Sequence, residues 1–290
     1  MTVKIVTDSS SDVSLELAQQ LGISIVPLYV RFGDEVYRDQ VDISADEFYQ
    51  KLATSPVHPT TAAPSPGDFA KVYKKLAQEA DEILSIHISS KVSATYNAAL
   101  QGRETLGKTG PHIEVIDSHL VSAALGLVAI GMAKIAETGE ELSQVVEKVH
   151  QYIPEIRIMG LLDTLKYIAR GGRLGKAASL LKAMLNVKPL LTFRNGEVHP
   201  VGLVRNRGKG LNRLCEFVKS TLNVQDLAIA HSVNPGEINT LRERVSSFLP
   251  QLKPRILRLG PALGTHGGPG TLIVALRGGK SNNTLGTVQG

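Results

Sequence analysis

The chain has 290 residues, 42% of them hydrophobic, with 32 Lys and Arg against 27 Asp and Glu and a net charge of +5. That balance excludes bulk disorder, and at roughly 150 residues per domain the length fits two domains or one large one. One cysteine, Cys215, excludes a disulfide scaffold and a cysteine-built zinc site and fits a reducing compartment.

In chain order, Val3 to Thr7 reads as a short buried strand, and Leu15 to Leu21 as a helix beyond a Ser/Asp cluster. Ile23 to Phe32 is a second apolar, β-branched run, followed by an acidic turn. Ser44 and Glu47 have the spacing of a helix-capping box. The prolines of Pro59 to Asp68 predict an extended loop without regular hydrogen bonding. A helix then carries Phe69, Val72, Tyr73 and Leu76 on one face. Glu82 to Ile88 is a strand, Ser93 to Leu106 a helix and His112 to Ile116 another strand. Helices follow over Leu120 to Glu137, a buried run whose aliphatic bias also suits a tunnel wall, and over Glu141 to Tyr152.

The pattern changes at Pro154, which predicts a domain boundary there. Arg157 to Leu162 is a strand, and a glycine turn at Arg170 to Gly175 leads into a helix reaching Met184. Val187 to Phe193 and Val198 to Val204 flank Asn195-Gly196, a hairpin signal. The helix from Gly210 to Leu222 puts Leu211, Leu214, Cys215, Val218 and Leu222 on one apolar stripe. Strands at Asp226 to Ala230 and Arg255 to Leu259 enclose a helix, and a glycine-rich loop, Gly264 to Gly270, precedes a last strand from Leu272 to Leu276. The tail from Gly278 onward has no periodicity. The expected fold is α/β, with residues 1–154 an α/β domain on a parallel sheet and residues 155–290 an α/β domain on a mixed sheet.

The charge divides at the same place. Residues 1–154 carry 12 basic and 20 acidic side chains, and residues 155–290 carry 20 and 7. A half that basic suits nucleic acid, an anionic small molecule, an acidic membrane surface or an acidic protein. With 4% aromatics and no Trp, stacking platforms for nucleic acid are few. Asp8 and Asp12 stand where a secretory leader needs apolar residues, and the longest nearly apolar stretch, Leu120 to Ala133, is too short for a membrane span. The expectation is a soluble, cytoplasmic protein with no stable membrane insertion.

No phosphate loop, dinucleotide fingerprint, GxSxG elbow or HExxH occurs, and no two of the 8 histidines stand four apart. No cofactor or metal is expected on that ground. Candidate chemistry sits elsewhere. Thr7 to Asp12 follows the first strand, where Ser9 and Ser10 form a candidate head-group loop and Asp8 and Asp12 could hold a metal. Ser and Asp are equally ordinary turn and cap residues. Ser93 stands near a helix N-terminus, where its hydroxyl could bind an anion or simply cap. Thr61 lies in the proline-bound loop. His266 lies among glycines that let a backbone approach a ligand, though a structural hydrogen bond is the commoner use of a lone histidine. Arg170 and Arg173 flank two glycines and suit a carboxylate or phosphate. Arg205, Arg207, Lys209 and Arg213 form a basic run with no acid among them, either a solvated surface or a docking face.

Six strings in order resemble the DegV family: Thr7 to Asp12, Pro59 to Phe69, Ile86 to Tyr96, Arg170 to Gly175, Leu185 to Pro189 and Gly264 to Gly270. Ala94 replaces the usual glycine of the third string. The resemblance implies two α/β domains with a ligand site between them, holding one long-chain fatty acid. It further implies a non-enzymatic subunit of a bacterial fatty acid kinase, whose separate ATP-binding subunit phosphorylates the carboxylate to feed phospholipid synthesis. Thr61 and Ser93 match the positions that hold the carboxylate, and Arg170 and His266 those that assist phosphoryl transfer. Arg173 and Arg205 match more loosely, as contacts with the kinase subunit. The alternatives are a metal-dependent hydrolase using Asp8 and Asp12, or a basic regulatory protein that binds nucleic acid.

Overall fold

Apolar, β-branched runs before Pro154 form β1 (Lys4–Asp8), β2 (Ile23–Val26), β3 (Tyr29–Phe32), β4 (Glu35–Arg38), β5 (Thr60–Ala62), β6 (Glu82–His87) and β7 (His112–Asp117). After it come β8 (Ile156–Leu161), β9 (Lys188–Arg194), β10 (Glu197–Val204), β11 (Leu222–His231), β12 (Arg255–Arg258) and β13 (Leu272–Gly279). The computed structural model of the chain describes residues 3–107, 110–183, 187–232 and 235–279. Met184, Leu185, Asn186 and the tail from residue 280 lie outside them.

The fold is mixed α/β. Strands β2-β1-β6-β7 make a parallel sheet, which requires crossover connections. Two of those crossovers hold the helices Leu15–Gln20 and Thr95–Glu104. The Ser-rich segments after β1 and β6 therefore emerge at the carboxyl ends of neighbouring strands, where ligands bind in such sheets. The later strands make one mixed sheet, β10-β9-β8-β13-β11-β12, parallel only between β11 and β12. The hairpin at Asn195-Gly196 is present with both residues at positive φ, as a tight two-residue turn needs.

Between the sheets runs the helix Ala123–Ala136, apolar on nearly every face because it is buried on nearly every face. It shares one core with Ile5, Leu84 and Ile86 on one side and Ala228, Ala230 and Ala275 on the other. A Cβ on Gly126 would come within 2.6 Å of the Ser11 carbonyl and one on Gly131 within 2.7 Å of the Tyr152 ring, so small residues set this close packing. No helix among the described residues is long and apolar enough to cross a membrane.

Several sequence expectations change. Ile23 to Phe32 is two strands in two different sheets, because Pro27 interrupts the run. The acidic turn after it contains a strand, β4. Pro59 to Asp68 is not wholly irregular: Thr60–Ala62 keeps all its N–H groups between prolines and pairs antiparallel with β3 at a sheet edge. The glycine-rich segment around His266 is largely a short helix, Pro261–Gly267, begun by a proline at its first position. The segment after Gly175 is a 3₁₀ helix, Gly175–Ala183. Cys215 is half-buried against the core of the later sheet.

Candidate functional site

A cavity of about 230 Å³ opens between the 88–94 loop, β5 and the Pro261–Gly267 helix on one side and the face of β9, β8 and β13 on the other. Its walls are mainly aliphatic, with Ile88, Leu162, Leu191, Phe193 and Ile273 prominent. Three polar wall residues turn their hydroxyls to the protein: Ser122 donates to Asp12, Thr192 to the Ile158 carbonyl and Thr271 to the Gly267 carbonyl. The remaining polar groups on the wall are Thr61, Ser93, Arg173 and His266.

Those four are drawn together by contacts across the chain. Thr61 Oγ1 lies 2.9 Å from His266 Nε2. The other ring nitrogen, Nδ1, is buried without a hydrogen-bond partner. A Cβ on Gly171 would lie 2.0 Å from it, so the glycine turn is what lets the backbone meet the ring. Arg173 donates from Nη1 to the Gly171 carbonyl at 2.6 Å and from Nε to the Val92 carbonyl at 3.3 Å, beside Ser93. It makes no ion pair with any described residue. Ser93 accepts the Thr95 N–H at 3.3 Å and shares a hydroxyl contact with Thr95 Oγ1 at 2.8 Å. It thus ties down the first turn of the Thr95–Glu104 helix, whose cap residue, Ala94, has no side-chain acceptor.

Burial, with the Arg173 guanidinium and the His58 ring adding to it, pushes the His266 imidazole down to about 4, so the ring is neutral at pH 7. Two hydroxyls, a neutral imidazole and a guanidinium without an ion-pair partner, drawn together on the wall of a mainly aliphatic cavity, are groups that can meet a monoanion with an apolar tail. Arg170 ends the Lys166–Arg170 helix and is exposed, one residue before the Gly171 contact with His266. Its charge and that of Lys166, after burial, hold the His58 imidazole low. His58 was not singled out by sequence; its ring lies 5.7 Å from that of Tyr167, and its Nε2 is buried without a partner. Its position before Thr60-Thr61 was the available signal. Arg205 is exposed at the junction of β10 and the Arg207–Lys219 helix, away from the cavity wall.

Ser9 and Ser10 are not brought to the cavity. Ser9 Oγ donates to Asp39 Oδ2 at 2.7 Å and accepts the Leu28 N–H, while Ser10 donates its N–H and hydroxyl to Asp8 Oδ1. The hydrolase alternative is not favoured. Asp8 Oδ2 is taken by His87 Nδ1 and the Ile88 N–H, and Asp12 by the Ser122 hydroxyl and the Gly260 N–H. Burial pushes the Asp12 carboxyl well above the usual range, which opposes cation binding. No group of three His, Cys, Asp or Glu among the described residues could hold a metal. Ser85, His87 and Asp8 do align as an acyl-transfer triad, with Ser85 Oγ 2.6 Å from His87 Nε2. All three are 0% exposed and Tyr73 Oη covers the serine oxygen, so no substrate carbonyl reaches it.

Comparison with known proteins agrees with this geometry. A family model described as an uncharacterised protein of the DegV family matches residues 2–277. A DegV domain-containing protein of Deinococcus radiodurans is 34% identical over 280 residues, 95% of this chain and 98% of its own. A fatty-acid-binding DegV family protein from Thermus thermophilus superposes with a TM-score of 0.87 at 31% identity, covering 96% of this chain and 100% of that one. DegV from Bacillus subtilis, a fatty acid binding protein, also gives 0.87, at 27% identity and with 96% and 100% covered. A stearic-acid-binding protein from Eubacterium ventriosum gives 0.85 at 26% identity, with 95% and 98% covered. With a model match across nearly its whole length and a relative at this identity, the chain belongs to the DegV family.

Proposed function

We propose that this protein binds one long-chain fatty acid in the cavity and presents its carboxylate to a separate ATP-binding kinase subunit. The observation that carries the binding part is the mainly aliphatic cavity that ends in Thr61, Ser93, Arg173 and neutral His266. Each methylene buried contributes about 0.8 kcal/mol, so the tail supplies most of the affinity and the polar end fixes orientation. An unpaired carboxylate in such a place would cost several kcal/mol, which the hydroxyl donors and the guanidinium offset. Cavity-lining residues come from both sides of Pro154, so in this reading the ligand lies between two domains, 1–154 and 155–290.

The kinase partnership rests on the motif resemblance. In that reading the carboxylate oxygen attacks the terminal phosphorus of ATP, an acyl phosphate forms and ADP leaves. The acyl phosphate then serves phospholipid synthesis in the cytoplasm. Arg170 and His266 would steady the charge that develops on the transferred group, while Arg205 and the exposed side of Arg173, which also reaches the cavity wall, would contact the partner. The chain itself is then a ligand carrier and not a complete enzyme.

The test separates binding from turnover. Thr61→Ala and Ser93→Ala are each expected to weaken fatty-acid binding by about 1 kcal/mol, roughly fivefold, in a direct binding titration. Arg170→Ala and His266→Ala are expected to lower acyl-phosphate formation with the cognate kinase subunit more than they lower binding. Wild-type affinity in both hydroxyl variants would remove the carboxylate site, and equal loss of binding and turnover would remove the assisting role.

A further inference from the structure

The floor of the cavity contains an interruption. Along β8 and just beyond it, Ile158, Gly160 and Leu162 alternate onto the cavity side, while Met159 and Leu161 point into the opposite core. That row spans about 13 Å at the rise of a strand, and its middle position has no side chain. Across the sheet, Gly160 sits opposite Leu191 on β9 and Ile273 on β13, both of which also line the cavity. The two neighbours along the strand and the two across it are all bulky aliphatics, so Gly160 is a notch walled on four sides.

Glycine in the middle of a strand weakens it, so the position needs another reason. Two ordinary reasons fail here. Gly160 is not among the residues with positive φ, so its backbone is one that any residue adopts. Nor does packing demand it, since a Cβ there would find Ile273 Cγ1 and Leu162 Cδ1 at 3.6 Å and the Leu272 carbonyl at 4.0 Å, all ordinary contacts. Glycines elsewhere behave differently: a Cβ on Gly210 would stand 2.5 Å from Leu161 Cδ2, and one on Gly171 would strike the His266 ring. What a Cβ at Gly160 would occupy is the ligand space.

We propose that Gly160 is a specificity-determining residue, a notch in the cavity floor that sets the size of acyl chain this protein holds. This rests on the fatty-acid reading above. A methyl group there takes room from the alkyl chain and leaves the head-group contacts untouched, because the atoms nearest to it belong to Ile273, Leu162 and Leu272 and none to Thr61, Ser93, Arg173 or His266. Removing room at Leu191, its neighbour across the register, works in the opposite direction: Leu191→Ala widens the same part of the floor.

The experiment offers the delipidated full-length chain an equimolar mixture of dodecanoic, tetradecanoic, hexadecanoic and octadecanoic acids. The bound acids are read by native mass spectrometry and extraction, and each variant is checked by thermal melting. Gly160→Ala is expected to melt no lower than wild type and to lower the bound ratio of octadecanoic to dodecanoic acid by about fourfold for each methylene it excludes. Leu191→Ala is expected to raise that ratio. A folded Gly160→Ala protein with the wild-type ratio overturns the inference, and so does a Gly160→Ala protein that fails to fold, since packing would then require the glycine. A wild-type chain that takes up none of the acids removes the fatty-acid reading itself, a result distinct from an unchanged ratio.

Discussion

Two polar regions of this molecule, both rich in hydroxyls and ionisable groups, have opposite character. The first is the segment after β1, with Asp8, Ser9, Ser10 and Asp12, and comes from one short stretch; the second is the polar part of the cavity wall, with Thr61, Ser93, Arg173 and His266, and comes from four separate segments. In the first, the serine hydroxyls and the Asp8 and Asp12 carboxylates are used within the protein, with Asp39 Oδ1 the exception: Asp8 alone accepts from Ser10, His87 and Ile88. In the second, the Arg173 guanidinium makes no ion pair among the described residues and donates to the Gly171 and Val92 carbonyls, which leaves it N–H groups to spare beside the cavity. A buried network that satisfies itself builds structure, whereas one with unused donors beside a cavity is ready for a ligand.

The strongest test of that contrast is Asp8→Ala. It strands several buried donors at once and is expected to cost roughly 3–5 kcal/mol in a denaturant titration. A loss below about 1 kcal/mol would mean the network is not structural. Gly171→Ala comes next, on the other side of the comparison. Its methyl group overlaps His266 Nδ1, so the ring must shift and its contact with Thr61 cannot stay as it is. The expected result is about a tenfold loss of fatty-acid affinity with a stability change of about 1–2 kcal/mol; unchanged affinity would show that the imidazole position is immaterial.

The net effect is smallest for a pair of pH slopes that oppose one another. Burial raises the Asp39 carboxyl to about 7, with Ser9 and the Ala262 N–H opposing, so the folded state keeps a proton that the unfolded state releases. Stability from this group falls as pH rises from about 4 to 7 and is then flat. His266, held down to about 4, does the reverse: below its unfolded value near 6.5 the unfolded chain takes a proton that the folded chain refuses. Its contribution is full above about 6.5 and is lost as pH falls toward 4. Stability measured across that window is therefore expected to rise more steeply with pH in Asp39→Asn and to fall more steeply in His266→Gln. Parallel wild-type and variant curves would contradict the assignment.

Much of the fold was legible because it is local. The buried runs of β1, β6 and β7, the Ser44 capping box and the Asn195-Gly196 turn all follow from residues within a few positions of one another. Strand β5 was not legible, since its pairing with β3 comes from a partner thirty residues away, which no short pattern records. The site divides in the same manner. Thr61, Ser93, Arg173 and His266 could be named from their strings, but which Ser/Asp string faced the cavity could not. Ser9 and Ser10 looked as suitable as Ser93 until Asp39 and Asp8 were found to occupy them. Ser122 had no local pattern, His58 had only its place before Thr60-Thr61, and Gly160 has meaning only through the strands on either side.

The most direct test of the central claim is native mass spectrometry of the protein as purified from a bacterial host, with extraction and identification of what it carries. The account predicts one fatty acid per chain, with reduced occupancy in the Thr61→Ala, Ser93→Ala double variant. A folded protein that is empty, and that stays empty when fatty acid is added, would contradict it.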